Sequence, residues 1–526
     1  MTRTGQDQVI AQGNIPILAG LAIVFAFRFI LSAYVNLIPD ECSYWAWSRR
    51  LDWSYFDNSG MVAYLIRLST ELFGQSTPFS VRFPFLVLSV LSSGLIYFCS
   101  LNIFGSVRLA LITTLVFNIT PVSLLGASAA IHDNILVFFT ILTMWFLTMY
   151  LRHRENKYLY LSGVAIGFSI LSKYTGILTL ACVFVFMIWR KETRSLLLTR
   201  TPWLSAGLAL LFTLPIIYWN WVHDWASLNH ILFIGTGYTG LSRKIADGFG
   251  FNLSQFLLVS PLMYVCVVAA MACSLYHNIR KPDGDQALCL SFGLPLLIFS
   301  VQSFRGHVEA NWSIPGYVGP CVLAVWSFYS DGTRALNWFG KPWGPRFVRW
   351  TVVSSVSIFC LVAAHAWVGL LPASLERSFA KEDRIIWETR GWNALGAHVG
   401  NLAREHEVIA ADSYQLCALL EFNIPGQPRV RYLAPWGRPT QFDVWNPSFD
   451  DLKGRDIIFV SPRKLVPSSD AFTTIYENFR SVEPLPEFKV MYHGESVREI
   501  FIYRCSGFDP EKPRRLGPRS LFYKDY

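Results

Sequence analysis

The chain has 526 residues, of which 52% are hydrophobic and 15% charged. A soluble globular protein carries about a quarter charged residues, so a large soluble enzyme is excluded and a polytopic membrane protein is indicated. The net charge of +9 points to no nucleic acid. Cytoplasmic loops of membrane proteins collect Lys and Arg, and no polar segment carries a basic stripe interleaved with aromatics.

Apolar runs fall at 14–36, 84–103, 108–126, 134–151, 158–172, 177–189, 203–221, 252–275, 287–303, 312–329 and 350–370. They predict about eleven transmembrane helices over residues 1–370, where a bilayer core of about 30 Å requires about 20 apolar residues, fewer if polar ends snorkel. The fifth and sixth runs are short, separated only by Ser172-Lys173-Tyr174-Thr175-Gly176, and read equally as one broken pair or a re-entrant turn. The first run has no small-residue cleavage site after it and reads as a retained helix. With the N-terminus inside, the cytoplasmic loops hold Arg152, Arg154 and Lys157, then Arg190, Lys191, Arg194 and Arg200, then Arg280 and Lys281, then Arg334, Lys341 and Arg346. The opposite short loops hold little beyond Lys173, Arg243, Lys244 and Arg305. This bias sets the orientation and places loop 37–83 and the polar tail, 371–526, outside.

Within loop 37–83, Val62–Leu68 and Ser69–Gly74 read as short amphipathic helices lying on the membrane. The tail opens with a helical pattern around Trp392–Glu405. Strand-like runs follow at Val408–Ala411, Asp456–Val460, Phe488–Tyr492 and Glu499–Tyr503, with a helix at Tyr414–Glu421. That alternation predicts a small α/β domain. The ten cysteines form no CxxC pair. Most sit in apolar runs as small hydrophobes, and a Cys417–Cys505 disulfide is left open.

The first outer loop begins Ile38-Pro39-Asp40-Glu41-Cys42-Ser43-Tyr44-Trp45. Carboxylates beside a membrane span are costly and tend to be functional or paired, although Asp40 after Pro39 would also serve as a helix cap. The next outer loop presents His132-Asp133-Asn134 at a helix start, where the same two readings apply. If Asp40 and Asp133 meet, like charge would raise one pKa and create a general base or a shared ligand site. Lys173, Arg305 and His307 are cations on the same side. Each is a membrane-interface anchor or a phosphate ligand. Asp57, His223, Asp224 and His230 combine carboxylate and imidazole, a set that suits a divalent metal such as zinc, but no tight spacing fixes a site. Gly235-Thr236-Gly237-Tyr238-Thr239-Gly240 matches GxGxxG without the strand, helix and acidic residue that a dinucleotide site needs.

Several motifs in order resemble the bacterial glycosyltransferase family 39 proteins, relatives of aminoarabinose transferase and protein O-mannosyltransferase with a GT-C fold. They are Asp40-Glu41 with Tyr44-Trp45, Leu51-Asp52-Trp53-Ser54-Tyr55-Phe56-Asp57, His132-Asp133, Leu171-Ser172-Lys173-Tyr174-Thr175-Gly176, Asn220-Trp221-Val222-His223-Asp224-Trp225 and Glu309-Ala310-Asn311-Trp312. In the tail, Tyr414-Gln415-Leu416, Pro425-Gly426-Gln427-Pro428 and Gln441-Phe442-Asp443-Val444-Trp445 continue the series. The resemblance implies a GT-C membrane domain with a periplasmic α/β domain in a bacterial inner membrane. It implies a polyprenyl-phosphate sugar as donor, and a lipid A, lipopolysaccharide or other envelope glycan as acceptor. Asp40 and Asp133 are the implied catalytic residues. Glu41, Tyr44, Asp57, Lys173, Tyr174, Arg305, His307, Glu309 and Asn311 are the implied substrate-binding residues. No cofactor is fixed, and Asp57 and His230 are the candidate ligands should a divalent metal be used. Many relatives carry a histidine and prolines after the aspartate matching Asp57, where this chain has Asn58-Ser59-Gly60. That departure puts a metal or phosphate role for this loop in doubt. Two other activities fit the architecture: protein O-mannosyl transfer, and transport of lipid-linked sugars, which would place ionisable residues mid-span.

Overall fold

The computed structural model describes residues 3–235, 241–280, 283–329, 344–368, 390–434, 439–466, 470–492 and 495–511. The glycine-rich stretch 236–240 and the expected domain boundary near residue 370 lie outside them. The chain is a multi-pass helical membrane protein with a mixed α/β tail.

The membrane part begins with α1 (Arg3–Tyr34), α2 (Pro39–Ser48), α3 (Met61–Phe73) and α4 (Pro78–Phe104). It continues through α5 (Val107–Ile119), α6 (Pro121–Gly126), α7 (His132–His153), α8 (Asn156–Ser172), α9 (Ile177–Trp189), α10 (Lys191–Arg194), α11 (Arg200–Leu211), α12 (Leu214–Val222), α13 (Ala226–Gly235) and α14 (Leu241–Val259). α15 (Pro261–Arg280), α16 (Gly284–Ser291), α17 (Leu294–Gln302), α18 (Val318–Tyr329) and α19 (Gly344–Val368) complete it. Among the described residues, six helices are long and apolar enough to cross a membrane, or up to eight if each of two bent pairs is one span. That is fewer than the predicted eleven, for a geometric reason. α5, α9 and α18 are apolar but only 12 or 13 residues long, so each rises about 20 Å.

Several predicted spans are also interrupted, and proline explains where. Pro121, Pro215, Pro261 and Pro295 each occupy the first or second position of the helix after a break. Such a residue lacks the N–H that would continue the preceding helix. The expected span 252–275 is therefore the end of α14 and most of α15, hinged at Ser260 with φ of 78°. In the outer loop the two predicted short helices are one, α3. It runs unbroken until Gly74, whose φ of 65° is the left-handed conformation that glycine adopts most readily.

The tail adds α20 (Trp392–Leu402), α21 (Tyr414–Asn423), α22 (Gln441–Trp445) and α23 (Asp470–Asn478). Its strands are β1 (Val408–Ala411), β2 (Arg431–Tyr432), β3 (Ile457–Ser461), β4 (Ser481–Pro484), β5 (Phe488–Tyr492) and β6 (Glu495–Ser506). The sheet order is β2-β1-β3-β6-β4, with β5 also on β6. β1 runs parallel to β2 and β3, while β6 is antiparallel to its neighbours. Alternate strand residues face opposite sides. Ile409, Ala411, Ile458 and Val460 join one apolar cluster, and Ala410, Ile457, Phe459 and Cys505 join another. Cys417 belongs to the first cluster. The two cysteines thus lie on opposite sides of the sheet, both free, and the Cys417–Cys505 disulfide is ruled out.

The first cluster does not stop at the tail. It also contains Leu37, Trp45, Tyr55, Val62, Val81, Phe85 and Ala130. The first outer loop and the tail therefore share one hydrophobic core and lie on one side of the membrane.

Two predictions test this packing. A Cβ at Gly163 on α8 would sit against the backbone carbonyl of Ser205 on α11. Gly163→Ala should separate the two helices and cost about 1–3 kcal/mol, read as a lower melting temperature in detergent. Asp412, at the end of β1, is 2% exposed. Burial pushes its carboxyl up to about 6, and the bond donated by Ser461 only partly offsets this. Its other oxygen finds no hydrogen-bond partner among the described residues. The folded state therefore holds this proton more tightly than the unfolded chain, whose Asp titrates near about 3.9. The protonated carboxyl's contribution to stability is complete below that value and is lost as pH rises towards 6. Asp412→Asn, neutral throughout, should flatten that fall and melt higher than wild type at pH 7.

Candidate active site

The site is built from the start of α2. Ile38 is extended and Pro39 opens the helix. Glu41 then turns into the protein and is fully buried. Its Oε1 accepts bonds from Arg82 Nε at 2.7 Å and from the Ala130 amide at 2.9 Å, and its Oε2 accepts from the Ile38 amide at 3.1 Å and from Arg82 Nη2. Arg82 in turn donates to the carbonyls of Val35 at 2.6 Å and Asn36 at 2.8 Å. The sequence reading made Glu41 a substrate ligand. The structure corrects this, because both its oxygens are spent inside the protein. Successive helix residues point about 100° apart. Anchoring Glu41 inward therefore leaves Asp40 exposed to the outside.

Tyr44 lies one turn after Asp40. Its ring meets the His132 ring edge-on at 4.4 Å, which joins α2 to the start of α7. Burial pushes the Tyr44 phenol well up, and Asp40, Tyr414, Asp133 and Asp57 add to the shift in that order. Carboxylates from the first outer loop and from the start of α7 thus act on one phenol.

Asp133 is buried, and both its oxygens are held. Lys173 Nζ lies 2.7 Å from Oδ1, and Asn311 Nδ2 donates to Oδ2 at 3.0 Å. Lys173 occupies an extended residue between α8 and a short turn, Tyr174–Gly176, that precedes α9. Its side chain is 10% exposed. The neighbouring Tyr174 hydroxyl bridges Ser54 at 3.1 Å and Ser227 at 2.7 Å, tying the outer loop to α13. Tyr174 is thereby a fastener in this structure.

Arg305 and His307 follow α17 and are exposed. Arg305 forms no ion pair among the described residues, and His307 pairs with Glu309 at 3.1 Å. Neither joins the Asp133 network. Of the metal candidates, only Asp57 and His230 meet, at 3.3 Å. His223 bonds the Trp219 carbonyl through Nδ1 and stacks on that ring at 4.1 Å. Among the described residues no group of three His, Cys, Asp or Glu is placed to hold a metal ion.

Arg82 was not among the residues singled out from the sequence, although it carried a readable signal, a cation beside an apolar run that demands a partner. Tyr414 stood out only as part of a tail motif, since only folding brings the tail to α2.

The lock on Asp40 can be tested directly. Glu41→Gln leaves Arg82 buried without its carboxylate, a loss of about 3–5 kcal/mol for a buried pair. The variant should melt well below wild type in nanodiscs. An unchanged melting curve would show that the pair is not a strut.

Comparison with known proteins gives a family match, a sequence relative and solved structures of the same fold. A family model described as dolichyl-phosphate-mannose-protein mannosyltransferase matches residues 57–219. The lipid A galacturonosyltransferase RgtD of Rhizobium johnstonii is 24% identical over 326 residues, which cover 61% of this chain and 67% of the relative. ArnT from Cupriavidus metallidurans in the apo state superposes with a TM-score of 0.62 at 14% identity, over 94% of this chain and 98% of ArnT. The same protein bound to undecaprenyl phosphate gives 0.61 at 16% identity, over 93% and 98%. The resemblance read from the motifs therefore stands, and the chain shares the GT-C fold of ArnT.

Proposed function

We propose that the chain transfers a sugar from a polyprenyl-phosphate donor to a lipid A or lipopolysaccharide-type acceptor at the periplasmic face of a bacterial inner membrane. The observation that carries this reading is the exposed carboxylate of Asp40, fixed one turn from a phenol that also feels Asp133. Asp133 in turn holds an ammonium, Lys173. The relatives support the substrate classes. RgtD is a lipid A galacturonosyltransferase, and ArnT has been solved bound to undecaprenyl phosphate.

The chemistry divides between these groups. The acceptor oxygen attacks the anomeric carbon as the lipid phosphate leaves, so a single displacement inverts the centre. Negative charge grows on the leaving phosphate, and preorganised cations stabilise it. Lys173 has donors beyond the one given to Asp133, and the exposed Arg305 is a second cation. Asp133 has both oxygens engaged, so its role is to hold Lys173, whereas proton transfer falls to Asp40. A hydroxyl acceptor needs that base. A phosphate acceptor does not, and Asp40 would then orient it. Asp57 and His230 supply two donors that a divalent cation would accept, with no third beside them among the described residues. No step is assigned to a metal.

The charge bias of the loops supports an outward-facing site, with the N-terminus cytoplasmic. Protein O-mannosyl transfer is the second reading, favoured by the description of the matching family model. Asp40→Asn should fold and melt as wild type, because its side chain is exposed, yet lose at least about 100-fold in turnover. Lipid mass spectrometry of cells with and without the protein should show one glycan-modified lipid disappear. Modified peptides in its place would select the second reading. Movement of intact lipid-linked sugar without cleavage of the sugar–phosphate bond would reject both.

A further inference from the structure

A second group of charges lies at the far end of α2, away from Asp40. Arg49 and Arg50 end this helix, and Arg429 and Arg431 approach from the tail. Two carboxylates serve these four guanidinium groups among the described residues. Glu421 is fully buried and meets Arg49 at 3.3 Å and Arg429 at 3.8 Å, while Arg431 pairs with Asp451 at 3.0 Å. Glu421 is further committed to the Val430 amide at 3.1 Å. Arg50 is half-buried, and its guanidinium lies 4.4 Å from the centre of the Trp445 ring. The guanidinium makes no hydrogen bond or ion pair among the described residues. Burial lowers its pKa to about 10. Arg429, Arg49 and Arg431 lower it too, while Glu421 opposes them, and it stays charged at neutral pH.

Joining the tail to the loop does not require Arg50. Arg49 already reaches Glu421, Arg49 also stacks on Trp45 at 4.8 Å, and Arg429 donates to the Arg49 carbonyl at 3.2 Å. Arg50 adds an oriented fork of unspent donors on an aromatic platform. The platform also leads to the reaction centre. Trp445 ends α22, whose first residue, Gln441, accepts a bond from the Phe56 amide at 2.7 Å, next to Asp57. A cluster carrying a surplus of two positive charges suits a dianionic phosphomonoester better than a single carboxylate.

We infer that Arg50, flanked by Arg49 and Arg429 over Trp445, binds a phosphate group carried on the acceptor saccharide, about 15 Å along α2 from the oxygen that reacts at Asp40. This subsite rests on the glycosyl-transfer reading above. It adds to it that the acceptor bears a phosphate remote from the bond being made.

The test uses full-length protein in phosphatidylcholine nanodiscs, titrated calorimetrically with a deacylated, bisphosphorylated glucosamine disaccharide and with the same disaccharide after phosphatase treatment. The phosphorylated form should bind at least about tenfold more tightly, as expected where a guanidinium fork meets phosphate. Arg50→Gln and Arg429→Gln should each erase most of that difference. Arg50→Lys should keep part of it, which shows that charge and not misfolding is being read. Asp40→Asn should keep all of it. Equal affinities of the two disaccharides for the wild-type protein would overturn the subsite. So would loss of the difference in phosphatidylglycerol nanodiscs, which would assign the arginines to the membrane surface. Asp40→Asn with normal turnover would reject the reaction while leaving this binding result standing, so the two failures are distinguishable.

Discussion

The architecture of the site depends on one buried ion pair. Glu41 and Arg82 join four stretches of chain: the end of α1 through Val35 and Asn36, the start of α2, the helix α4, and the loop that carries Ala130. Removing two charges from water is expensive. The pair is tolerable because every carboxylate oxygen is satisfied and the guanidinium also collects carbonyls that would otherwise be orphaned at the end of α1. What it secures is direction. With Glu41 committed inward, the adjacent Asp40 has no choice but to face out. Adjacent acidic residues thus part company, one a buried strut and the other an exposed carboxylate.

A similar division separates Asp133 from Lys173. Asp133 stands in the first turn of α7, where the helix dipole favours a negative charge. Lys173 lies in the break between α8 and α9. An ammonium so little exposed needs a counter-charge, and the Asp133 carboxylate supplies it. The result is a cation held in place by its carboxylate. Arg305 contrasts with it, exposed on the segment after α17 and without an ion pair among the described residues.

Much of this was legible from residue order, for reasons that differ by element. The long apolar helices α1, α4, α7, α15 and α19 declare themselves by length and composition. The helix breaks were missed because hydropathy is blind to a single proline, and Pro261 or Pro121 changes the fold without changing the apolar average. Asp40, Asp133 and Lys173 stood out because charge beside apolar sequence is rare. Their pairing was not readable, since Asp133 and Lys173 are 40 residues apart and Asp133 and Asn311 are 178 apart. Glu41 was misread because two adjacent carboxylates look alike in a string of letters. Only the three-dimensional position of Arg82 tells them apart.

The tail is the part whose contribution is least visible in its own sequence. It carries no motif of acid–base chemistry, and its buried Asp412 sits at the end of the interior strand β1, bonded to Ser461. Its influence comes through contact. The shared core that contains Trp45 and Phe422, whose rings meet edge-on at 5.0 Å, binds α21 to α2. The bond from the Phe56 amide to Gln441 brings α22 to the residue before Asp57. Tyr414, at the start of α21, is close enough to act electrostatically on the Tyr44 phenol. A domain fastened at these points cannot swing freely over the membrane part. It stays packed against the loop that carries Asp40. On the proposed reaction, acceptor selection would then be a matter of what this face presents, and it presents aromatic rings and arginines that outnumber their carboxylates.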